Sequence, residues 1–209
     1  MIPVKVLAVQ YLSAVTPELS RALGTDAPCL GLLTTDSDDP TYIALDQATK
    51  DAQVSVCYGR SFYAGAGNAS TPLAGEVIGI LAGPTPGAVR SGMESALGEL
   101  ERVGFEEVNG VPCLAHTVSR CGSFLAKEAG VREGTPLAYL IAPPLESMYA
   151  MDAALKAADV KLCKLYTPPT ETNFGGGLLT GTQSACTAAC AAFRDAVEKV
   201  ARQPKEMSF

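Results

Sequence analysis

The twelve residues Asp46–Cys57, DQATKDAQVSVC, return 106 positions later as Asp152–Cys163, DAALKAADVKLC. Six of the twelve positions are identical, among them the aspartate, the lysine and the cysteine. A unit this long is a whole domain, because solenoid repeats have periods of roughly 20–50 residues. The sequence therefore predicts two similar domains, and we expect function to lie in how they are arranged and where they differ.

The chain length agrees with a duplication. At 209 residues it accommodates two domains of about 100 residues each. We place the first domain at residues 1–106, where it carries a long loop over residues 59–73, and the second at residues 107–209.

Composition excludes several classes of protein. A hydrophobic content of 47% with 18% charged residues is typical of a globular chain. The net charge of −6 argues weakly against nucleic acid or anionic membranes as partners, since both attract basic patches. No apolar run approaches a membrane span, and Met1–Lys5 lacks a signal-peptide pattern. With seven cysteines, an odd number, reduced thiols in the cytoplasm are the better interpretation.

Both halves show the same order of predicted elements: strand, helix, strand, helix, strand, strand, helix. The first helix begins at Thr16-Pro17-Glu18, an N-cap followed by proline and an acidic residue. The second begins at Asp39-Pro40, with Asp39 as the expected N-cap. The order predicts an α/β (α+β) fold in which helices pack on a small sheet in each half.

The halves differ most after their third strand. The first half has a glycine-rich stretch with two aromatic residues, Gly59–Ser70, where the second has the proline-containing stretch Thr167–Gly176. A long loop inside a compact domain is usually functional. We therefore expect the distinguishing function of the first half in this loop.

The sequence offers little for catalysis. His116 is the only histidine, and no serine stands in a nucleophile motif, so a structural histidine is the better interpretation. Cys186 and Cys190 are one helical turn apart, but no further ligand pattern completes a metal site, and alanine-rich surroundings favour buried thiols. We predict no catalytic residue, no metal and no cofactor.

Acidic residues are more suggestive. Asp36, Asp38 and Asp39 follow a buried strand, Glu76 follows Gly75, and Glu171 lies in a polar turn. Like charges this close repel each other unless a cation or a helix N-terminus offsets them. Two interpretations stay open: solvated loop charges, or carboxylates that bind a small hydroxyl-bearing cation.

Several stretches resemble the shell proteins of bacterial microcompartments, and specifically their tandem-domain, circularly permuted members, among them shell proteins of ethanolamine utilisation. The stretches that carry the resemblance span most of the chain: Thr35–Tyr42, Tyr58–Ala66, Val118–Ser123, Leu140–Glu146, Asp152–Leu162, Pro168–Asn173 and Gly177–Gly181.

The resemblance implies a structural shell protein and not an enzyme, built of two tandem domains that each have a small, mainly antiparallel sheet with packed helices. Such proteins are expected to form homotrimers that mimic a six-domain hexagon and tile with other shell proteins into a sheet. The resemblance also implies a gated central pore for metabolites or cofactors, with ethanolamine or a corrinoid as candidate solutes, and small pores within each subunit.

It further implies two sets of site residues. The pore gate comprises Tyr58, Gly59, Arg60, Phe62, Tyr63, Ala64 and Gly65. The small-molecule site comprises Asp38, Glu76, Phe105, Glu171 and Thr172. An ethanolammonium ion there would pair with carboxylates, hydrogen-bond to the threonine and rest against the aromatic ring.

Two alternatives stay open at this point. One is a tandem-domain sensor or enzyme subunit that binds a small molecule between its halves and does not assemble. The other is a shell protein whose centre is permanently closed, which predicts a single conformation of the 59–73 loop.

Overall fold

The computed structural model describes residues 1–62 and 71–206. Its strands are β1 Val6–Leu12, β2 Cys29–Thr35, β3 Ser55–Ser61, β4 Val77–Gly83, β5 Glu106–Val108, β6 Val111–Val118, β7 Leu137–Ala142, β8 Val160–Tyr166 and β9 Gly175–Gly181. Its helices are α1 Pro17–Ala22, α2 Asp38–Asp51, α3 Pro86–Leu100, α4 Ser123–Ala129, α5 Pro144–Ala157 and α6 Gln183–Arg202.

The chain divides into two compact units. One unit contains Pro3–Gly104 together with the short stretch Gly122–Leu125. The other contains Met1–Ile2, Phe105–Cys121 and the chain from Ala126 onward. The sequence-based boundary between residues 106 and 107 stays a prediction.

Each unit has an antiparallel sheet with two long helices packed on it. The sheet of the first unit has the strand order β1-β2-β4-β3, and α2 and α3 pack against it over Leu33, Leu45 and Leu81. The sheet of the second unit has the order β5-β6-β7-β9-β8, and α5 and α6 cover Leu140 and Leu179. The predicted fold class, helices on small antiparallel sheets in two tandem halves, is confirmed.

The repeat extends to an irregularity in the sheets. The pairing of β3 with β4 shifts register between Val56 and Tyr58, and the pairing of β8 with β9 shifts between Leu162 and Lys164. The extra residues are Cys57 and Cys163, the two cysteines of the repeated motif. A bulge at the same position of both halves bends each edge strand in the same place.

Strand β5 is an element that the predicted order lacks. Asn109 and Gly110 both have positive φ, 51° and 81°, and join β5 to β6 in a tight hairpin. An Asn-Gly pair between short apolar runs is a strong hairpin signal because both residues tolerate this conformation. The Asn109-Gly110 pair is therefore sufficient to predict the β5–β6 hairpin.

The start of α2 also differs from the prediction. The N-cap is Ser37, and Asp38 and Asp39 are the first helical residues. Both carboxylates lie in the first turn, where the positive end of the helix dipole favours them. None of the described helices is both long and apolar enough to cross a membrane.

Candidate functional site

The residues assigned to the gate begin on a strand. β3 continues through Ser61, so Tyr58, Gly59 and Arg60 pair with β4 and are not part of a loop that starts at Gly59. Gly59 is paired with Gly79 of β4, and a Cβ atom at Gly59 would lie in ordinary van der Waals contact with the rings of Phe124 and Tyr42. The glycine is therefore a paired strand residue and does not end the strand.

β3 is an edge strand whose side chains are largely accessible. Tyr58 is 40% exposed and Arg60 is exposed as well. The Phe62 amide donates to the carbonyl of Glu76 over 3.0 Å, so the two ends of the intervening segment are joined. Tyr63, Ala64 and Gly65, the remaining gate residues, lie outside the described residues.

The C-terminal end of the segment between β3 and β4 is hydrogen-bonded to β2. The Thr34 hydroxyl donates to the Leu73 carbonyl over 2.7 Å, and the Glu76 amide donates to the Thr35 carbonyl over 2.9 Å. Gly75 has φ +64°, and a Cβ there would lie 1.9 Å from the Thr35 carbonyl oxygen. Only glycine fits this approach. The position of Glu76 is therefore fixed by the main chain.

Acidic side chains of the first unit surround this point. Asp38 and Asp39 are buried, with 6% and 7% of their surface exposed, so they are not solvated loop charges. The Asp38 carboxylate accepts the amide of Asp39 over 2.9 Å. The exposed Asp36 accepts the amide of Lys5 over 2.8 Å.

The pKa values of neighbouring groups show how negative the region is. Partial burial raises the pKa of Glu76, and the charges of Asp38 and Asp36 raise it further. Burial also raises the pKa of Tyr42, and the charges of Asp38 and Asp39 add to that shift. The Tyr42 hydroxyl is hydrogen-bonded to the Ser61 hydroxyl at 2.6 Å, next to the end of β3. The electrostatic potential here favours a cation.

The other predicted site residues belong to the second unit. Phe105 is only 8% exposed, and its ring centroid lies 5.6 Å from that of Phe174. Thr172 is half-buried, with its hydroxyl 3.4 Å from that of Thr170, and Glu171 is exposed. The Thr170 amide donates to the Phe174 carbonyl and the Asn173 amide donates to the Thr170 carbonyl, each over 3.1 Å, and the turn that they close contains Glu171 and Thr172.

The structure therefore brings the predicted site residues together in two sets. Asp38 and Glu76 share one electrostatic neighbourhood in the first unit. Phe105, Glu171 and Thr172 lie around the Thr170–Phe174 turn of the second unit, with Phe174 as an aromatic contact that the sequence did not suggest.

Sequence reasoning also missed a buried carboxylate, although it stands in the repeated motif. Asp46 of α2 is fully buried and accepts the amides of Gly122 and Leu125 over 2.7 Å and 2.8 Å. Burial raises the pKa of Asp46, while those two amides and the nearby Lys50 oppose the shift. Asp46 thus caps the start of α4. The recurrence of the aspartate in both halves was the available signal.

Five of the seven cysteines are buried, and Cys57 and Cys163 are partly exposed. All seven are free thiols, and Cys186 and Cys190 are buried as predicted. Burial raises the pKa of Cys113 to about 12 and of Cys190 to about 11, which keeps both protonated and unreactive. Within residues 1–62 and 71–206, no group of three or more acidic, cysteine or histidine side chains is arranged to hold a metal ion.

Comparison with known proteins agrees with the fold. The family model described as the BMC domain matches residues 29–112. The chain is 59% identical to the bacterial microcompartment shell protein EutL of Clostridium perfringens over 205 residues. The aligned residues cover 95% of this chain and 94% of the relative.

Solved structures give the same result. The crystal structure of EutL from Clostridium perfringens superimposes with a TM-score of 0.94 at 57% identity, covering 99% of this chain and 96% of that one. The ethanolamine utilization protein EutL from Leptotrichia buccalis also gives 0.94, at 54% identity, covering 100% and 98%. These relatives are named as shell or ethanolamine utilization proteins, which favours a structural role over the sensor or enzyme subunit. The chain belongs to the family of bacterial microcompartment shell proteins.

Proposed function

We propose that the chain assembles as a homotrimer whose six domains form a hexagonal tile of the shell, with a gated central pore for small metabolites. The observation that carries this proposal is that the two halves repeat each other but differ in one connection, which is longer between β3 and β4 than between β8 and β9. Two similar domains let three chains make a ring of six, and only alternate domains then carry the segment between β3 and β4.

The gate in this proposal is the segment after β3. Its ends are joined by the Phe62 and Glu76 hydrogen bond and anchored on β2, so a change within the segment leaves the sheet intact. In the second half the chain connects β8 to β9 through the shorter stretch 167–174. The segment of the first half is the longer one and carries two adjacent aromatic residues, Phe62 and Tyr63, as a plug, which makes its pore the candidate route for ethanolamine and for larger solutes such as a corrinoid.

The solute that suits the acidic neighbourhood is a small cation of the ethanolamine class. Its ammonium group would pair with the carboxylates of Asp38 and Glu76, and its hydroxyl would take a neutral partner. Burial and, after it, repulsion from Asp38 and Asp36 raise the pKa of Glu76, and a cation beside this carboxylate would relieve the repulsion. The relatives named for ethanolamine utilization support this solute class.

Calorimetric titration with ethanolamine tests the binding part. Replacing Asp38 by asparagine or Glu76 by glutamine removes one charge from the cation's surroundings, and we expect each to weaken binding by about tenfold or more. Glu133→Gln, an exposed residue of the second unit, is the matched control and should leave binding unchanged. Equal affinity in all variants would remove the acidic neighbourhood from the proposal.

The contribution of Phe105, Glu171 and Thr172 to the same binding stays a prediction. Thr172→Ala in the same titration tests it. Loss of affinity would add the Thr170–Phe174 turn to the site, and unchanged affinity would confine binding to Asp38 and Glu76.

A fluorescence reporter tests the gate, because the chain has no tryptophan. Phe62→Trp places a single indole at the end of β3, and Tyr149→Trp on α5 is the control. We expect the emission of the first variant to change with solute or solution conditions and that of the control to stay constant. One unchanging emission from Phe62→Trp would favour the permanently closed tile.

The assembly itself is tested by sedimentation equilibrium. We expect the mass of three copies of the 21.6 kDa chain at micromolar concentration. A monomer or dimer under these conditions would contradict the tile.

A further inference from the structure

The two halves of the chain contain the same helix face, and only one of the two is covered. In the first unit, Gly122–Leu125 packs on α2: the amides of Gly122 and Leu125 donate to Asp46, and the Ser123 amide donates to the Thr49 hydroxyl over 3.1 Å. Phe124 adds a ring contact with Tyr42, with centroids 5.8 Å apart. Leu125 is consequently 1% exposed.

The equivalent face of α5 is open in the single chain. α5 begins 106 residues after α2 and has the same length, so Asp152 is the counterpart of Asp46. The Asp152 side chain is 64% exposed and forms an ion pair with Lys156 on the same helix, whereas the Asp46 side chain is fully buried.

The segment that would cover this face also exists, and it is open too. α1 and α4 begin 106 residues apart, and both are followed by a glycine of positive φ, Gly24 at 73° and Gly130 at 66°. Leu19 is therefore the counterpart of Leu125, yet it is 44% exposed. Each side of the contact that is buried around Asp46 thus has an exposed equivalent elsewhere in the chain.

From this pairing we infer that the face of α5 around Asp152 binds the first turn of α1, residues 16–19, of a second copy of this chain. The inference rests on the proposed trimer and names the contact that joins its subunits. A contact between two different surfaces makes a ring when its rotation closes after a whole number of copies, and three copies are what the tandem chains of the proposed trimer need.

The residues around Asp152 differ from those around Asp46, but a substitution on one side of the contact is matched by a substitution on the other side. Gly59, which lies against Phe124, corresponds to Leu165 of β8, which is 44% exposed. Phe124 itself corresponds to Glu18. In the contact around Asp46, the large apolar side chain is Phe124 of the covering segment and the sheet has Gly59. In the inferred contact around Asp152, the sheet has Leu165 and the covering segment has Glu18, so one large apolar side chain is present in each contact.

One substitution changes how closely the segment can approach. A Cβ at Gly122 would lie 2.6 Å from the Asp46 carbonyl oxygen, so a residue with a side chain does not fit there. Its counterpart is Thr16. The α1 turn of the second copy must therefore stand farther from α5, and the Thr16 hydroxyl becomes a donor within reach of Asp152.

A charge-exchange cycle measured by sedimentation tests the contact. Leu19→Glu places a carboxylate against Asp152, and Asp152→Lys places a cation against the donors of α1. We expect each change alone to raise the concentration of half-assembly by about tenfold or more, and the double variant to return within about threefold of the original chain, since opposite charges then meet.

The controls separate this inference from the trimer itself. Asp159→Lys changes the same charge on an exposed residue beyond the end of α5 and should leave assembly unchanged. If the unmodified chain is trimeric and the effects of the two changes simply add, the contact lies elsewhere and the trimer stands. If the unmodified chain does not form a trimer, the proposed function fails first. Circular dichroism of each variant confirms that the exposed substitutions leave the fold intact.

Discussion

Helices α2 and α5 show how one sequence motif acquires two environments. Both are 14 residues long and carry an aspartate and a lysine four residues apart. Asp46 is fully buried and lies 3.7 Å from Lys50, while Asp152 is 64% exposed and lies 2.5 Å from Lys156. Only Asp46 accepts the two main-chain amides of Gly122 and Leu125. The burial of the motif is therefore decided by the segment that packs on it, and not by its own residues.

The largest expected effect is a difference in stability between variants of Asp46 and Asp152. Asp46→Ala leaves two buried amides without an acceptor and should lower the free energy of unfolding by about 3 kcal/mol. Asp152→Ala removes only an exposed ion pair and should cost less than about 0.5 kcal/mol within one chain. Urea denaturation of both variants measures the difference. Similar losses in the two would mean that the surroundings of Asp46 contribute little.

A second prediction concerns helix caps, which are local contacts and are present in both halves. The hydroxyls of Thr85 and Thr182 accept the amides of Ala88 and Ala185, each over 3.1 Å, and so cap α3 and α6. Because these caps depend only on neighbouring residues, replacing either threonine by alanine should cost about 1 kcal/mol in both halves. Thermal unfolding monitored by circular dichroism compares them. Clearly unequal losses would show that the halves differ even in local contacts.

The smallest expected effect concerns the acidic neighbourhood that only the first half has. The pKa of Glu76 is raised on folding, so ionising this carboxyl destabilises the folded chain as pH rises through its folded pKa. Glu76→Gln should therefore stabilise the chain at pH 7, by less than about 1 kcal/mol because the side chain is exposed. Below the unfolded pKa of glutamate, about 4.3, the two proteins should be equally stable. Denaturation at pH 7 and pH 3.5 measures both; a variant that is less stable at pH 7 contradicts the shift.

The repeat, the fold class and most helix starts could be predicted from the sequence because they depend on neighbouring residues. Thr16 and Pro17 begin α1 as expected. The hairpin between β5 and β6 also depends on neighbouring residues, because Asn109 and Gly110 form its turn.

The rest depended on distant contacts. Nothing near Asp46 predicts that Gly122, 76 residues away, supplies its hydrogen bond. The strand character of Gly59 likewise depends on its pairing with Gly79 of β4. The burial of Asp38 could not be inferred either, because it follows from the packing around the first turn of α2. Such features appear only when the chain has folded.

Hydrogen–deuterium exchange tests most directly whether the face around Asp152 is covered when the chain assembles. The amides of Thr16, Glu18 and Leu19 and those on the exposed face of α5 should exchange about tenfold or more slowly in the assembled chain than in Asp152→Lys at a concentration where that variant is dissociated. Protection of both segments together is the predicted result. A chain that sediments as a trimer while both segments exchange as fast as in the dissociated variant would contradict the account.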